Sequence, residues 1–279
     1  MAHTKRKYRT MKTPLVSIII PTYNIEKYID QTIQCVLDQT FTDWELVITD
    51  DCSQDSTVEI LRRYAAQDER IRIYVLEQNS GAAAARNNSI EKASGRYIAF
   101  LDSDDWWYPT KLEKQMAFIH ETGCEFCFTA FEYADKDLRV TGVSHKPAKI
   151  SYSSMKLGCN IGTPGVVYDT RRIGKMYMPN MRRSEDWSLW IMISERTGAA
   201  YSINEPLWKY RILPNTLSRS KLKLVQSNLK VYENILHYSK FRALLTFCFL
   251  FAPKHICKMI YNKVDSILYL RKLAKTNAQ

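Results

Sequence analysis

Three carboxylates stand within four residues in Leu101-Asp102-Ser103-Asp104-Asp105, directly behind an apolar run. Carboxylates that close repel one another unless a cation joins them, and hard oxygen donors suit Mn2+ or Mg2+ better than zinc. A second acidic pair, Asp50-Asp51, precedes Cys52-Ser53, where a carboxylate can accept hydrogen bonds from a nucleobase or a ribose. In Ser184-Glu185-Asp186-Trp187-Ser188-Leu189-Trp190 an acidic pair lies beside two tryptophans one helical turn apart. Those are the residue types of a general base next to an aromatic platform for a sugar face. Arg86 and Asn87, in GAAAARNN (81–88), are placed to face phosphate or to brace Asp51. Each segment also has a plain structural counterpart: a solvated acidic turn, an N-cap cluster, or the first-turn acids that a helix dipole favours. Neither GxGxxG nor GxxxxGK[ST] occurs, which excludes the glycine-rich dinucleotide and P-loop sites.

The elements that must position these groups follow from periodicity. Residues 16–20 read as a buried strand ending at Pro21, 25–37 as a helix, and 44–49 as a strand. A helix capped by Asp55 or Ser56 follows, then a strand at 71–76, an Ala-rich helix at 81–93 and a strand at 97–101. Strand and helix alternate three times with short connections, the pattern of an α/β fold with a mostly parallel sheet flanked by helices. Ligands of such sheets bind at the carboxyl ends of the strands. Thr22 and Tyr23, Asp50 and Asp51, Glu77–Asn79 and Asp102–Asp105 all fall there. Further on, the pattern predicts a helix at 110–121, a strand at 125–131 and a hairpin around Gly142. A strand at 165–168, a helix at 184–196 and an extended segment at 204–213 come next, before two basic helices at about 221–239 and 241–274.

The chain has 279 residues, 46% of them hydrophobic, enough for one large domain with an appendage. Its formal charge of +11 is uneven. Residues 1–13 carry five Lys or Arg and no acid, and from Leu207 onward fourteen face only Glu233 and Asp265. The body between is net negative, which speaks against a nucleic-acid groove and for an acidic catalytic unit on cationic appendages. The apolar run 15–20 is too short for a secretory leader. Seven cysteines over this length make no disulfide framework, and Cys124-x-x-Cys127, Cys35 and Cys248 read as buried reduced thiols. No uninterrupted apolar run reaches the ~20 residues of a membrane span. ALLTFCFLFA (243–252), ending before Pro253 among basic residues, reads as an interfacial helix on an anionic membrane surface.

VSIIIPTYN (16–24), TDDCSQDST (49–57), GAAAARN (81–87), FLDSDD (100–105) and SEDWSLW (184–190) together resemble family 2 glycosyltransferases over about residues 14–213, in particular bacterial enzymes of teichuronic-acid and O-antigen type. The resemblance implies a GT-A fold, a nucleotide-sugar donor, a divalent cation (Mn2+ or Mg2+) and inversion at the anomeric carbon. It places Pro21 and Tyr23 beside the nucleobase, Asp51 on the uracil edge, Asp102 with Ser103 at the ribose, and Asp104 on the metal, with Asp105 behind it. Arg86 joins the donor site. Asp186 becomes the general base, and Glu185, Trp187, Trp190 and Trp107 lie on the acceptor side. The donor implied is a UDP-sugar and the acceptor a saccharide on a polyprenyl diphosphate lipid, at the inner face of a bacterial membrane. Two departures stand out. The family's His after Tyr-Arg is missing, Asn215 following Tyr210-Arg211, and so is the QxxRW pattern of processive synthases, which implies one sugar per acceptor. The resulting organisation is a basic tail (1–13), a catalytic domain (14–213, its nucleotide half ending at 105) and a basic helical tail (214–279). A nucleotidyltransferase and a silent binding module of the same fold are the competing readings. The first is disfavoured by Pro21-Thr-Tyr-Asn24 where a glycine-rich basic loop would stand, the second by the presence of Asp51, Asp104 and Asp186.

Overall fold

Val16–Thr22 (β1) is buried at every position because both faces of the sheet it centres are covered. The computed structural model describes residues 13–158, 161–181, 183–213 and 221–276; the basic stretch 1–12 and Asn215 lie outside them. After β1 come α1 (Ile29–Leu37), β2 (Trp44–Asp50), α2 (Thr57–Gln67), β3 (Ile71–Val75), α3 (Ala82–Lys92) and β4 (Tyr97–Phe100). The next elements are β5 (Trp106–Trp107), α4 (Lys111–Thr122), β6 (Phe126–Ala134), β7 (Val140–Ser144), β8 (Lys149–Ser151) and α5 (Tyr152–Met155). Then follow β9 (Val167–Asp169), α6 (Thr170–Ile173), α7 (Glu185–Thr197), β10 (Ala199–Arg211), α8 (Lys221–Asn234), α9 (Lys240–Thr246) and α10 (Ala252–Thr276).

Among the described residues the strands form one sheet in the order β3-β2-β1-β4-β9-β6-β10-β5, with β7 on β6 and β8 on β10. β3, β2, β1 and β4 are mutually parallel, as their crossover helices require. β9 enters antiparallel to both β4 and β6, and β10 runs parallel to β6. Alternation along β1 divides the core. Ile18 and Ile20 face the layer that holds α1 and α4, whereas Ile19 joins Phe100, Phe126 and Trp190 on the other side.

β1 continues through Pro21 to Thr22 and does not stop before the proline. Ile19 C=O accepts from Leu101 N–H on the β4 side, so the nitrogen of Pro21, two residues on, faces that side too. β4 has left the ladder by then, and no hydrogen bond is lost to the missing N–H. The C-terminal helix is likewise longer than its apolar run. Phe247–Phe251 is a π turn immediately before Pro253, and the widened turn carries the helix past a residue that would clash with the preceding turn. Lys240–Thr276 is therefore a 37-residue helix, long and apolar enough by length and composition to cross a bilayer. Counting uninterrupted apolar residues misses this because Pro253 and Lys254 break the run but not the helix. Cys35, Cys124 and Cys127 are buried free thiols as expected; Cys248 is exposed on the outer side of that helix.

Candidate active site

The acidic turn after β4 is held from two sides. Thr32 Oγ1 of α1 donates to the carbonyls of Ser103 and Asp105, each at 2.9 Å. From β10, Arg211 donates its backbone N–H to Asp105 Oδ1 at 2.9 Å and its Nε to the Asp104 carbonyl at 2.7 Å. Its two terminal nitrogens reach the Lys136 carbonyl and Gln31 Oε1. Arg211 is 1% exposed, and the turn cannot shift without breaking this fan of bonds. Sequence reading had used Tyr210-Arg211 only as a landmark, since nothing in a lone arginine announces four buried contacts.

The turn sorts its three carboxylates. Asp105 is buried and anchors β10 through Oδ1, while its Oδ2 has no hydrogen-bond partner among the described residues. Burial, then the charges of Asp104 and Asp102, hold its carboxyl well above the usual range. Asp104 is partly exposed and pushed up to about 6, by burial first and by Asp102 second. Crowded hard oxygens with an orphaned buried oxygen behind them are what a divalent cation relieves. Asp102 and Asp104 would hold it, leaving the remaining positions for water and a diphosphate. No group of three His, Cys, Asp or Glu suited to a metal occurs among the described residues, so the cation would rely on its ligand.

Arg86 of α3 closes the arrangement. Its Nη2 is 2.5 Å from Asp102 Oδ1, and its Nη1 is 3.6 Å from Glu185 Oε1. Burial works against its charge, but Asp102, Glu185 and Asp186 more than offset it and raise its pKa. Arg86 thus braces Asp102 and not Asp51, and Asn87 instead pairs twice with the Met178 backbone. α7 starts after Ser184, whose φ of 59° is left-handed, so that Glu185 and Asp186 turn toward β4. Asp186 Oδ1 accepts from Trp187 N–H at 2.7 Å. Burial raises the pKa of both acids, helped in Glu185 by the Asp186 charge and opposed in Asp186 by Trp187 N–H and Arg86.

At the nucleotide end, Pro21 is buried and Tyr23 is 48% exposed, a ring open for stacking beyond the strand. Asp51 accepts N–H bonds from Ser80 at 2.7 Å and Gly81 at 2.8 Å, and Gly81 has the φ of 92° that side chains disfavour. Its carboxylate therefore shapes the loop before α3 and retains lone pairs for a further donor. Asn24 and Cys52 also have positive φ, and their loops are laced together by Asn24 N–H to Ser53 Oγ and Gln54 N–H to Asn24 Oδ1. Ser103 is partly exposed beside Asp102.

The expected tryptophan platform is a core feature instead. Trp190 is fully buried against Phe100 and Phe126, Trp187 is 2% exposed with Nε1 donating to the Met155 carbonyl, and Trp107 is fully buried with Nε1 on the Pro164 carbonyl. The indoles of Trp187 and Trp190 follow the buried stripe of α7 and Trp107 lies on β5; of the three, only Trp187 also borders the cavity. The aromatic wall of the site comes from the sheet. Phe131 and Tyr133 of β6 lie beside Trp208 and Tyr210 of β10, with Tyr133 and Tyr210 in register. Their i, i+2 spacing in two runs was the available signal. Gly162 lacks a Cβ where Trp208 would collide with it.

Part of this arrangement borders a cavity of about 740 Å³. Asp102, Arg86, Glu185 and Asp186 line its polar part, the four rings one side, and residues of α8, the π turn 247–251 and α10 the other.

The model of the family described as "Glycosyl transferase family 2" matches residues 17–198. The chain is 41% identical over 248 residues to Bacillus subtilis (strain 168) "Putative teichuronic acid biosynthesis glycosyltransferase TuaG", covering 88% of this chain and 97% of that protein. It is 35% identical over 250 residues to Escherichia coli "UDP-Glc:alpha-D-GlcNAc-diphosphoundecaprenol beta-1,3-glucosyltransferase WfaP", covering 86% and 98%. Among solved structures, S. aureus TarS 1-349 with UDP-GlcNAc superposes with a TM-score of 0.64 at 21% identity, over 83% of this chain and 70% of that one. A mannosyltransferase from Pyrobaculum calidifontis with GDP-Man and Mn2+ gives 0.62 at 15% identity, over 96% and 80%. Both structures share the fold, a GT-A architecture.

Proposed function

Because the chain belongs to glycosyl transferase family 2 and is a glycosyltransferase, we propose that it moves one hexose or N-acetylhexosamine from a UDP donor to a saccharide acceptor, with inversion. Family membership sets aside the nucleotidyltransferase and silent-module readings. The observation that carries the proposal is the convergence of Asp102 from the turn after β4, Arg86 from α3 and Glu185-Asp186 from α7 on one cavity, with Asp104 in the same turn as Asp102. The name of the WfaP relative supports a UDP-linked donor and an acceptor on a diphosphate lipid. That of the TuaG relative supports a place in polysaccharide synthesis of the teichuronic-acid kind, which this reading places at the inner face of the membrane.

Residues 14–105 form the donor half in this reading and 106–213 the acceptor half. Tyr23 stacks on the base, and Asp51 and the loop it shapes read the base edge. Asp102 with Ser103 meets the ribose, and Asp104 holds Mn2+ or Mg2+ together with Asp102. A cation held by these residues would supply the charge that offsets the negative charge growing on the departing diphosphate. Asp186 takes the proton of the acceptor hydroxyl as that oxygen bonds to the anomeric carbon and the bond from this carbon to the diphosphate oxygen breaks. Its raised pKa makes it a better proton acceptor than an ordinary aspartate. Arg86 stays charged between Asp102 and Glu185 and supplies the positive charge of this corner. The acceptor sugar rests on Tyr210 and Tyr133.

The test is UDP release from UDP-glucose and UDP-N-acetylglucosamine, with and without Mn2+ or Mg2+, using a hexosamine diphosphate on an alkyl chain as acceptor. Metal-dependent release and a product whose anomeric proton shows inversion are expected. Release that ignores chelation, or a retained anomer, contradicts the assignment.

A further inference from the structure

The helix Lys240–Thr276 presents two different faces. Its inner face is fastened to the catalytic body around residues 251–254 and again over residues 265–269. The ring of Phe251 lies 5.5 Å from that of Trp187, and Lys254 Nζ donates to the Ser154 carbonyl at 3.1 Å. Asp265 pairs with His145 at 2.8 Å. Ser266 Oγ accepts from Val143 N–H and donates to Val143 C=O, each at 3.0 Å, and Tyr269 donates to Glu132 at 2.7 Å. These polar bonds run from one end of α10 almost to the other. A helix that crossed a bilayer would have to give them up. The outer face is apolar and open: Phe249, Ile260, Val264 and Leu268 are each more than half exposed. Over its 25 residues α10 extends roughly 37 Å.

Charge identifies what covers that face. Between residues 240 and 276 the sequence has eight Lys or Arg and a single acid, Asp265, which is committed to His145. An apolar stripe bordered by cations complements a bilayer rich in anionic headgroups. Ile256 and Met259 belong to both surfaces: they line the cavity, and they are 57% and 59% exposed. The apolar side of the cavity, with Phe247, Phe251 and Met259, therefore meets the outer face of the helix along these two residues.

We propose that α10 lies flat in the headgroup layer of an anionic membrane, and that the gap beside Ile256 and Met259 is the door through which a prenyl-diphosphate acceptor enters sideways from the bilayer. The inference rests on the lipid-linked acceptor proposed above. The sugar advances to Asp186 while the hydrocarbon stays against Phe251 and Met259 and trails into the membrane. One helix thus sets both the depth of the enzyme and the orientation of its cavity.

The experiment uses the full chain, phosphatidylglycerol-containing vesicles, and two acceptors: a hexosamine diphosphate on a long prenyl chain held in the vesicles, and the same headgroup on a short, soluble alkyl chain. The double variant Ile260→Asp, Val264→Asp is expected to lose vesicle flotation at least tenfold while turning over the short-chain acceptor normally, which also reports that it is folded. Met259→Asp is expected to float normally but to raise the ratio of long-chain to short-chain KM about tenfold, with Met259→Leu restoring it. Flotation unchanged in the double variant overturns the docking, as does a change only from dimer to monomer, which would make the face an interface between copies. A Met259→Asp ratio equal to that of the parent overturns the door. A parent enzyme that uses neither acceptor overturns the acceptor reading instead, and this inference with it.

Discussion

A single buried guanidinium joins the end of β4 to the start of α7: Arg86 lies 2.5 Å from Asp102 and 3.6 Å from Glu185. α3 and β4 follow one another in the chain whereas α7 lies far downstream, and the one cation serves acids from both. Arg86→Gln should strand Asp102 and Glu185 in a half-buried site without a counter-charge. Breaking such a pair costs about 3 kcal/mol, more than the pair itself contributes. Transfer should fall at least ~100-fold and the urea midpoint should drop. Arg86→Lys, whose point charge cannot fork to two acids, should land between the two. Parent-like turnover in Arg86→Gln would contradict the bridging role.

Asp104→Asn separates chemistry from stability. A carboxyl raised to about 6 keeps its proton in the folded state between the usual carboxylate value and pH 6, where the unfolded chain has already lost it. Stability therefore falls as pH rises through that window, and the cost is complete at pH 7. Removing the charge should raise Tm in chelator at pH 7, and the gain should vanish below about pH 4. The same change should weaken Mn2+ binding in the presence of UDP by ~10-fold or more, read by calorimetry, and lower transfer ~100-fold. A variant that is destabilised, or that binds Mn2+ like the parent, would remove Asp104 from the metal.

Asp186→Asn should spare the donor and lose the reaction. Asparagine can keep the hydrogen bond from Trp187 N–H, so the start of α7 should hold. Loss of a general base costs ~10²–10⁴ in rate. The expected pattern is kcat down by that factor with the Kd for UDP-sugar within about twofold, measured by single-turnover kinetics and fluorescence titration. Weakened donor binding of the same size would mark Asp186 as a structural residue.

What the sequence could disclose followed from local pattern. β1, β2, β3 and β4 and the acids behind them were readable because a sheet buried on both faces demands apolar runs, and the polar residues that end such runs collect at one edge. Contacts between distant segments left no such mark. The fan from Arg211 to residues 104, 105 and 136 links positions 75 to 107 apart, and neither β9 nor β10 announces which strand it joins. Trp190, packed in the core, could not be told from Trp187, which borders the cavity, because aromatic spacing on a helix looks the same whether the stripe faces a sugar or the core. The sheet alternation of Phe131, Tyr133, Trp208 and Tyr210 is visible in the sequence but is equally that of a buried strand. Pro253 ended the apolar run but not the helix expected over 241–274, and the π turn that absorbs it has no sequence signature.

Lys111 provides a test of the core that is independent of the chemistry. It is fully buried, donates to Gln115 Oε1 at 2.6 Å, and lies 3.6 Å from the centre of the Trp107 ring. Burial pulls its pKa from the ordinary lysine value down to about 7. Between pH 7 and the ordinary lysine value the unfolded chain therefore carries a proton that the folded chain has released, and stability rises with pH across that window. Below pH 7 both states are charged and the full desolvation cost is borne. Lys111→Met keeps the packing on Trp107 and removes that cost, but leaves Gln115 Oε1 without its donor, a loss of about 1–2 kcal/mol. The net expectation is a variant more stable by about 2–3 kcal/mol at pH 6, with the advantage shrinking through pH 8 and gone by pH 10. Urea denaturation of both proteins at these three pH values measures it. A difference that stays constant with pH would mean that the amine is not the source of the cost.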